Sequence, residues 1–541
     1  MPGQPPPPYP FNQDPDRTVS YRHPVPGQVS GPQTQPYAHA AQPTAGPPPW
    51  RQEELGPPVP PARKTGKGWL LAIVAAVLVV LVGGGGVYAV SLLSGGGTQP
   101  EDVLPAGTLA YVRVDLDPAA NQKIALFNLA RKFSATRDSF TGDDPRRALF
   151  GLLSKDSEDL AKVDYARDVE PWLGARVGFG LLSPLPGKRT PEVAVAVQVT
   201  DETKARAGLA KLNAGGELKG LAFREDYAIL AATQTAADSY AKAAPLSGNA
   251  DFAADLKALG EPGVLSFWGN VGEIAKAAGT AMPSDAATLD MIKNVRLAGA
   301  LRFDSGYAEL TGISRGSTVQ GPANAGGIRL GTLPASTVGA VSVSGLGETL
   351  AKQWPQIMKA ADGSAGSQAF TDFVTRAQET YGIALPADLV TLLGENLTVA
   401  VDEQGLDGEI PNVGAVLTTD PAKAQEVVAK IERFLADSGT GTPRIAKAAG
   451  DGKLILASSQ DYAGKLNEAG TLGDSEAFKI AIPDADSATA ALFVDLDKIE
   501  KYYLDNLQGE ERANLQALRA VGLSGRQSGD TTSFSLRVLF N

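Results

Sequence analysis

The chain has 541 residues, with 49 Lys and Arg against 60 Asp and Glu, a net charge of -11. That length exceeds one hydrophobic core, so two or more domains are expected. Cysteine is absent, and the two histidines, His23 and His39, lie near the N-terminus. Disulfide frameworks, thiolate metal sites and thiol nucleophiles are therefore excluded, and no imidazole chemistry is available beyond residue 39.

In chain order, residues 1–67 come first. Of the 38 prolines, 19 fall in residues 1–62, among Gly and Gln and with few aliphatic side chains. Such a segment cannot bury enough apolar surface to offset chain entropy, and a disordered cytoplasmic tail is expected. Pro6-Pro7-Pro8-Tyr9 fits a polyproline ligand and offers a weak cytoplasmic partner motif. Thr18, Ser20 and Thr34 are candidate phosphorylation sites.

Residues 68–93 read as a transmembrane helix. Every residue from Trp69 to Val82 is apolar, and no charge occurs between Lys67 and Glu101. A span of 25 residues covers roughly 37 Å, enough to cross the hydrocarbon core with some tilt. Arg63, Lys64 and Lys67 flank its N-terminal side. They put the tail in the cytoplasm and residues 101–541 outside, in a single-pass plasma-membrane protein. A cleaved signal peptide is the competing reading, but 67 residues precede the run. Residues 94–103 form a juxtamembrane linker.

Beyond it the sequence repeats. LPAGTLAYVRVD (104–115) matches LPASTVGAVSVS (333–344), and DVEPWLGARVGFGL (168–181) matches DLVTLLGENLTVAV (388–401). VAVQVTDETKARAGLAKL (195–212) matches GAVLTTDPAKAQEVVAKI (414–431). Four more segments recur in the same order, at offsets from 219 to 229. We therefore read a tandem duplication, 104–317 and 333–541, joined by a Gly- and Pro-rich linker at 318–332. Each copy shows alternating strands joined by short turns, interleaved with amphipathic helices. The expected class is α+β, a largely antiparallel sheet with helices on one face. A finer layer is visible in YVRVDLDP, SFWGNVGEI, VSVSGLGETL and LFVDLDKI, each a strand, a polar turn and a helix start.

The Pro-rich tail, the membrane helix, LPAGTLAYVRVDLDPAANQKIALFNLARKF and the FREDYAILAAT strand together resemble an uncharacterised envelope family of high-GC Gram-positive bacteria, domain of unknown function 3352. The resemblance covers about 100 to 541. It implies a fold and a place, with no activity or site residues to carry over.

Candidate chemistry is sparse. Asp115 and Asp117, like Asp495 and Asp497, form Asp-x-Asp pairs that suit Ca²⁺ or Mg²⁺. Asp117 precedes Pro118 and a helix, and Asp497 precedes Lys498-Ile499-Glu500, so helix caps are the stronger reading. Gly312-Ile313-Ser314-Arg315-Gly316 fits a nucleophile elbow but has no His partner. Ser239-Tyr240-Ala241-Lys242 fits S-x-x-K, yet no SDN accompanies it, and the KTG at 64–66 is cytoplasmic. No cofactor loop is present. Residues 101–541 carry 43 basic and 56 acidic residues, a balance that repels nucleic acid. The expectation is a non-enzymatic envelope module that binds a lipid, peptide or protein partner. The alternative is a carboxylate-dependent enzyme such as a glycan hydrolase, with no catalytic pair identifiable.

Overall fold

The computed structural model describes residues 97–541, apart from 143, 156–159, 189, 214–215, 280–285, 318–320, 323–325, 363–366, 409, 438–444 and 506. The tail 1–67 with Arg63, Lys64 and Lys67, and the expected membrane helix 68–93, lie outside the described residues. Among the described residues no helix is long and apolar enough to cross a membrane.

The α+β class holds, built on one antiparallel sheet of sixteen strands among the described residues. The first half supplies β1 (Thr108–Asp115), β2 (Leu173–Leu182), β3 (Glu192–Val199), β4 (Gly220–Arg224), β5 (Tyr227–Ala231), β6 (Leu265–Asn270), β7 (Arg296–Phe303) and β8 (Tyr307–Arg315). The second half supplies β9 (Thr337–Ser344), β10 (Asn396–Asp402), β11 (Val413–Thr418), β12 (Ala446–Gly450), β13 (Lys453–Ala457), β14 (Ala490–Asp495), β15 (Leu518–Ser528) and β16 (Thr531–Phe540).

The strand order is β12-β13-β11-β10-β9-β14-β15-β16-β8-β7-β6-β1-β2-β3-β5-β4. Read outward from the centre, each half follows the same path. The halves meet where β8 pairs antiparallel with β16, and Thr311 faces Ser535 there. Antiparallel pairing of equivalent strands is the arrangement of a local two-fold axis. The four strand–turn–helix segments also have a place: β1 pairs with β6, and β9 with β14, at the middle of each half. The stretch 318–332 ends inside the fold, because Ile328 and Leu330 are buried in the second-half core.

Side chains alternate across the pleat and give two faces. On the front face of the first half, Tyr111, Ala196, Ile229 and Trp268 pack with Phe252 and Leu259 of the helix Ala250–Leu259. On the back face, Val195, Val197 and Leu230 pack with Trp172 and with Ala205 and Leu209 of the helix Glu202–Leu212. The second half repeats this. Ala340, Ile455 and Phe493 lie under Tyr462, Leu466 and Phe478 in front, and Leu454 lies against Ala424 and Val428 behind.

Helices therefore cover both faces, which corrects the expectation of one. The reason lies in β3 and β5. Their runs EVAVAVQV and YAILA are apolar on consecutive residues and buried on both sides, which requires cover on both sides. Two helix starts follow the sequence closely. Asp201 accepts the N–H of Lys204 at 3.0 Å, and Asp420 accepts those of Ala422 and Lys423 at 3.1 and 3.2 Å.

Candidate functional site

The aspartate pairs are met by cations from the protein itself. Asp115 ends β1, is buried, and lies 2.8 Å from Arg113 Nη2 and 3.7 Å from Arg176 Nε. Asp117 pairs with Lys123. Asp495 ends β14 and lies 3.3 Å from Lys498 Nζ, while Asp497 accepts the Asn541 amide at 2.9 Å. Among the described residues no three His, Asp or Glu side chains converge on one metal position.

The expected caps do not form. Neither Asp117 nor Asp497 caps its helix. Asp115 accepts the N–H of Asp117 and Asp495 that of Lys498, each at 3.3 Å, so both aspartates brace the turn that follows their strand. At the equivalent turn after β6, Asn270 does cap its helix, accepting the N–H of Glu273 at 3.1 Å from the extended backbone that a cap needs.

Ser239 and Lys242 are exposed on the helix Gln234–Lys242. Ser314 sits within β8, paired with Leu297 and Thr532, so no strand-to-helix elbow forms there.

A cavity of about 870 Å³ opens in the second half, where β9 ends and β10 begins. Thr398, Val416, Thr418 and Lys453 form its sheet wall. Arg329, Thr332 and Leu333 line one side, and Leu466 to Ala469 line another. Glu348, Glu395, Asp420, Asp451 and Glu468 supply five carboxylates to the lining, against the two cations Arg329 and Lys453.

Beside the wall lies a closed set of buried polar groups. Asn396 Nδ2 donates to Ser342 Oγ at 3.0 Å and to Ser344 Oγ at 2.8 Å. Thr398 Oγ1 donates to Asn396 Oδ1 at 2.8 Å and lies 2.8 Å from Ser342 Oγ. Lys453 Nζ donates to the carbonyls of Asn467 at 2.8 Å and Leu466 at 3.4 Å. Burial pushes its ammonium below the usual lysine range. The backbone N–H of Lys423, with that lysine's ammonium, holds the Asp420 carboxyl below the usual aspartate range.

The ladder registers identify what stands at the same place in the first half. Tyr111, Arg113, Arg176, Gly178 and Tyr227 are the counterparts of Ala340, Ser342, Asn396, Thr398 and Lys453. There the space is filled by the chain itself. The helix Pro100–Val103 lies over β2, β3 and β5. A Cβ on Gly178 would come within 2.3 Å of the Pro100 Cβ, so only glycine admits this plug. Tyr227 Oη donates to the Thr98 carbonyl at 3.0 Å, and Tyr111 Oη donates to the Glu101 carboxylate. In the second half three large side chains have become Ala, Ser and Asn, and the short helix Leu330–Thr332 packs against β9. The cavity opens beside these positions, over Thr398 and Lys453, the counterparts of the Gly178 and Tyr227 that hold the plug.

Reading the sequence by motifs missed these residues. The signal was present in the matched segments, as positions where a large side chain in one copy faces a small polar one in the other.

Residues 71–228 match the model of a family described as protein of unknown function (DUF3352). The match runs through the apolar segment and the first half as far as β5, a shorter span than the resemblance read from the motifs. No curated protein and no solved structure matches the chain.

Proposed function

We propose that this DUF3352-family chain is a membrane-anchored, non-enzymatic binding module of the cell envelope, and that its ligand sits in the second-half cavity. One observation carries this. The same place in two equivalent half-sheets is filled by the chain's own residues in the first and left as about 870 Å³ in the second. That volume falls within the range of ligand pockets, and the lining sets Leu333, Val390, Val416 and Leu466 among polar and acidic side chains.

Carboxylate catalysis is the weaker reading. An acid catalyst at neutral pH needs a carboxyl with a raised pKa. Asp420 is shifted the other way, and Glu348 lies 2.6 Å from the ammonium of Lys352. Anchoring rests on the uncharged run after Lys67 and on Arg63, Lys64 and Lys67 before it.

The test of the binding reading is recovery of the full chain from its own envelope, followed by mass spectrometry of what accompanies it. The comparison variant is Ser342→Arg with Asn396→Arg, which restores first-half side chains at two positions beside the wall. A molecule that accompanies the native chain and is lost from the filled variant is the expected result. Identical co-purifying molecules would sink the reading. Protease added to intact cells tests the topology. It should degrade 101–541 and spare the tail, and the reverse pattern overturns the orientation.

A further inference from the structure

We infer that the second-half cavity receives a short basic peptide segment, seated as residues 97–102 are seated in the first half; the place of Leu104 is already taken by Leu333, whose carbonyl accepts the Leu472 N–H as that of Leu104 accepts the Leu246 N–H. This rests on the cavity being a binding site, and names its ligand class. The first half shows what the site's geometry holds: one turn of peptide, with Pro100 against the sheet and the Thr98 carbonyl taking a hydrogen bond from β5. Lys453 occupies the position of Tyr227, the residue that donates that bond. An ammonium has three N–H groups, and two serve the carbonyls of Leu466 and Asn467. Among the described residues nothing takes the third, which is left for a ligand carbonyl in the place of Thr98.

Charge sets the rest. The first-half plug is acidic through Glu101 and Asp102, and the wall beneath it holds Arg113 and Arg176. In the second half both arginines, and the Asp115 that pairs with them, are replaced by the uncharged Ser342, Asn396 and Ser344, and carboxylates outnumber cations in the lining. The complementary occupant therefore carries Lys or Arg where the plug carries Glu and Asp. Ser342, Asn396 and Thr398 satisfy one another, so the wall accepts a peptide without leaving a buried polar group stranded.

The experiment uses the full chain and an array of hexapeptides built on Gly-Thr-Gln-Pro-Glu-Asp, the sequence of residues 97–102, with each position varied through all residues. Two variants accompany the native chain. One is the filled Ser342→Arg/Asn396→Arg. The other is Asp420→Asn/Asp451→Asn/Glu468→Gln, whose exposed positions spare the core and whose Asn at 420 retains the helix cap. Peptides with Lys or Arg at the fifth and sixth positions should bind at least about tenfold tighter than the parent, roughly the gain of one favourable charge contact. Both variants should remove that gain. Binding unaffected by either variant, preference for acidic peptides, or retention of no peptide overturns the inference.

A β-1,4-linked N-acetylglucosamine tetramer is the second probe. If it binds the native chain, fails to bind the filled variant, and no peptide binds, the peptide inference falls while the binding reading stands. If no probe and no co-purifying molecule depends on the cavity, both fall.

Discussion

Where Pro100 packs on Gly178 in the first half, the second half has Thr398 and an open cavity. The contrast extends through the core. Asp255 is buried and accepts from Trp268 Nε1 at 3.0 Å, Arg296 Nε at 2.7 Å and Arg315 Nη1 at 3.3 Å. The counterparts of these four residues, by ladder register and helix start, are Ala481, Phe493, Ala520 and Leu539, all in the apolar core. On the back face, Val112 and Phe267 are 6 % and 5 % exposed, while their counterparts Val341 and Leu492 are 39 % and 37 %. One strand order thus supports a half closed by its own chain and a polar network, and a half with an apolar core and two open surfaces. The second half reaches the same strand order with apolar residues at these positions.

The largest expected effect breaks that network. Asp255→Ala strands two guanidinium groups and an indole N–H, and should destabilise the chain by about 3–5 kcal/mol in urea unfolding. Replacing the whole set by the second-half residues, Asp255→Ala with Trp268→Phe, Arg296→Ala and Arg315→Leu, should instead leave stability within about 2 kcal/mol of native or raise it. If the fourfold variant were as unstable as the single one, the halves would not be interchangeable cores, and the comparison would fail.

Parts of this were legible in the sequence. Alternating strands joined by short turns pointed to an antiparallel α+β fold, which the structure contains. Other parts leave no local trace. The pairing of β8 with β16 joins residues more than two hundred positions apart, and nothing in either strand names its partner. The matched segments also carried a slip. They set Ala196 against Ala415, whereas the ladders set it against Val416. A shift of one residue in a strand exchanges its faces. Read with that slip, β11 turns the wrong side chains toward the cavity, and Val416 disappears from the wall. The cavity itself is an absence of volume, visible only when counterparts are compared side by side.

The joint between the halves gives the next effect. Glu309 accepts from Ser535 Oγ at 2.7 Å, Arg537 Nε at 3.0 Å and Arg302 Nη1 at 3.4 Å. The register about Thr311 and Ser535 makes Ile313 and Ser533 the symmetric counterpart of the Arg537–Glu309 pair. The ion pair therefore lies on one side of the axis only, and marks one half from the other. Burial pushes the Glu309 carboxyl up; Arg537, Ser535 and Arg302 outweigh it and hold it below the usual glutamate range. A lowered folded pKa contributes stability above the unfolded value of about 4.3, and that stability is lost as pH falls through the folded value. Glu309→Gln should destabilise by about 2 kcal/mol at pH 7, the scale of a hydrogen bond to a charged group. The gap between variant and native chain should narrow as unfolding is measured at pH values falling below about 4.3. A gap unchanged with pH would remove the charge from the account.

The smallest effect is the sharpest for the back face. Val341, Leu492 and Leu523 stand side by side on β9, β14 and β15, and Leu523 is 40 % exposed. Phe267, the counterpart of Leu492, lies over Gly299, where a Cβ would come within 2.3 Å of its ring. Truncating a covered aromatic removes transfer energy and leaves a hole, so Phe267→Ala should destabilise by about 3–5 kcal/mol. Leu492→Thr and Leu523→Thr keep a strand-compatible side chain on a surface already in water, and each should change stability by about 0.5 kcal/mol or less. Equal losses at Phe267 and Leu492 would mean that the second-half row is covered in solution. Such a result would leave the front-face cavity as the one opening that separates the halves.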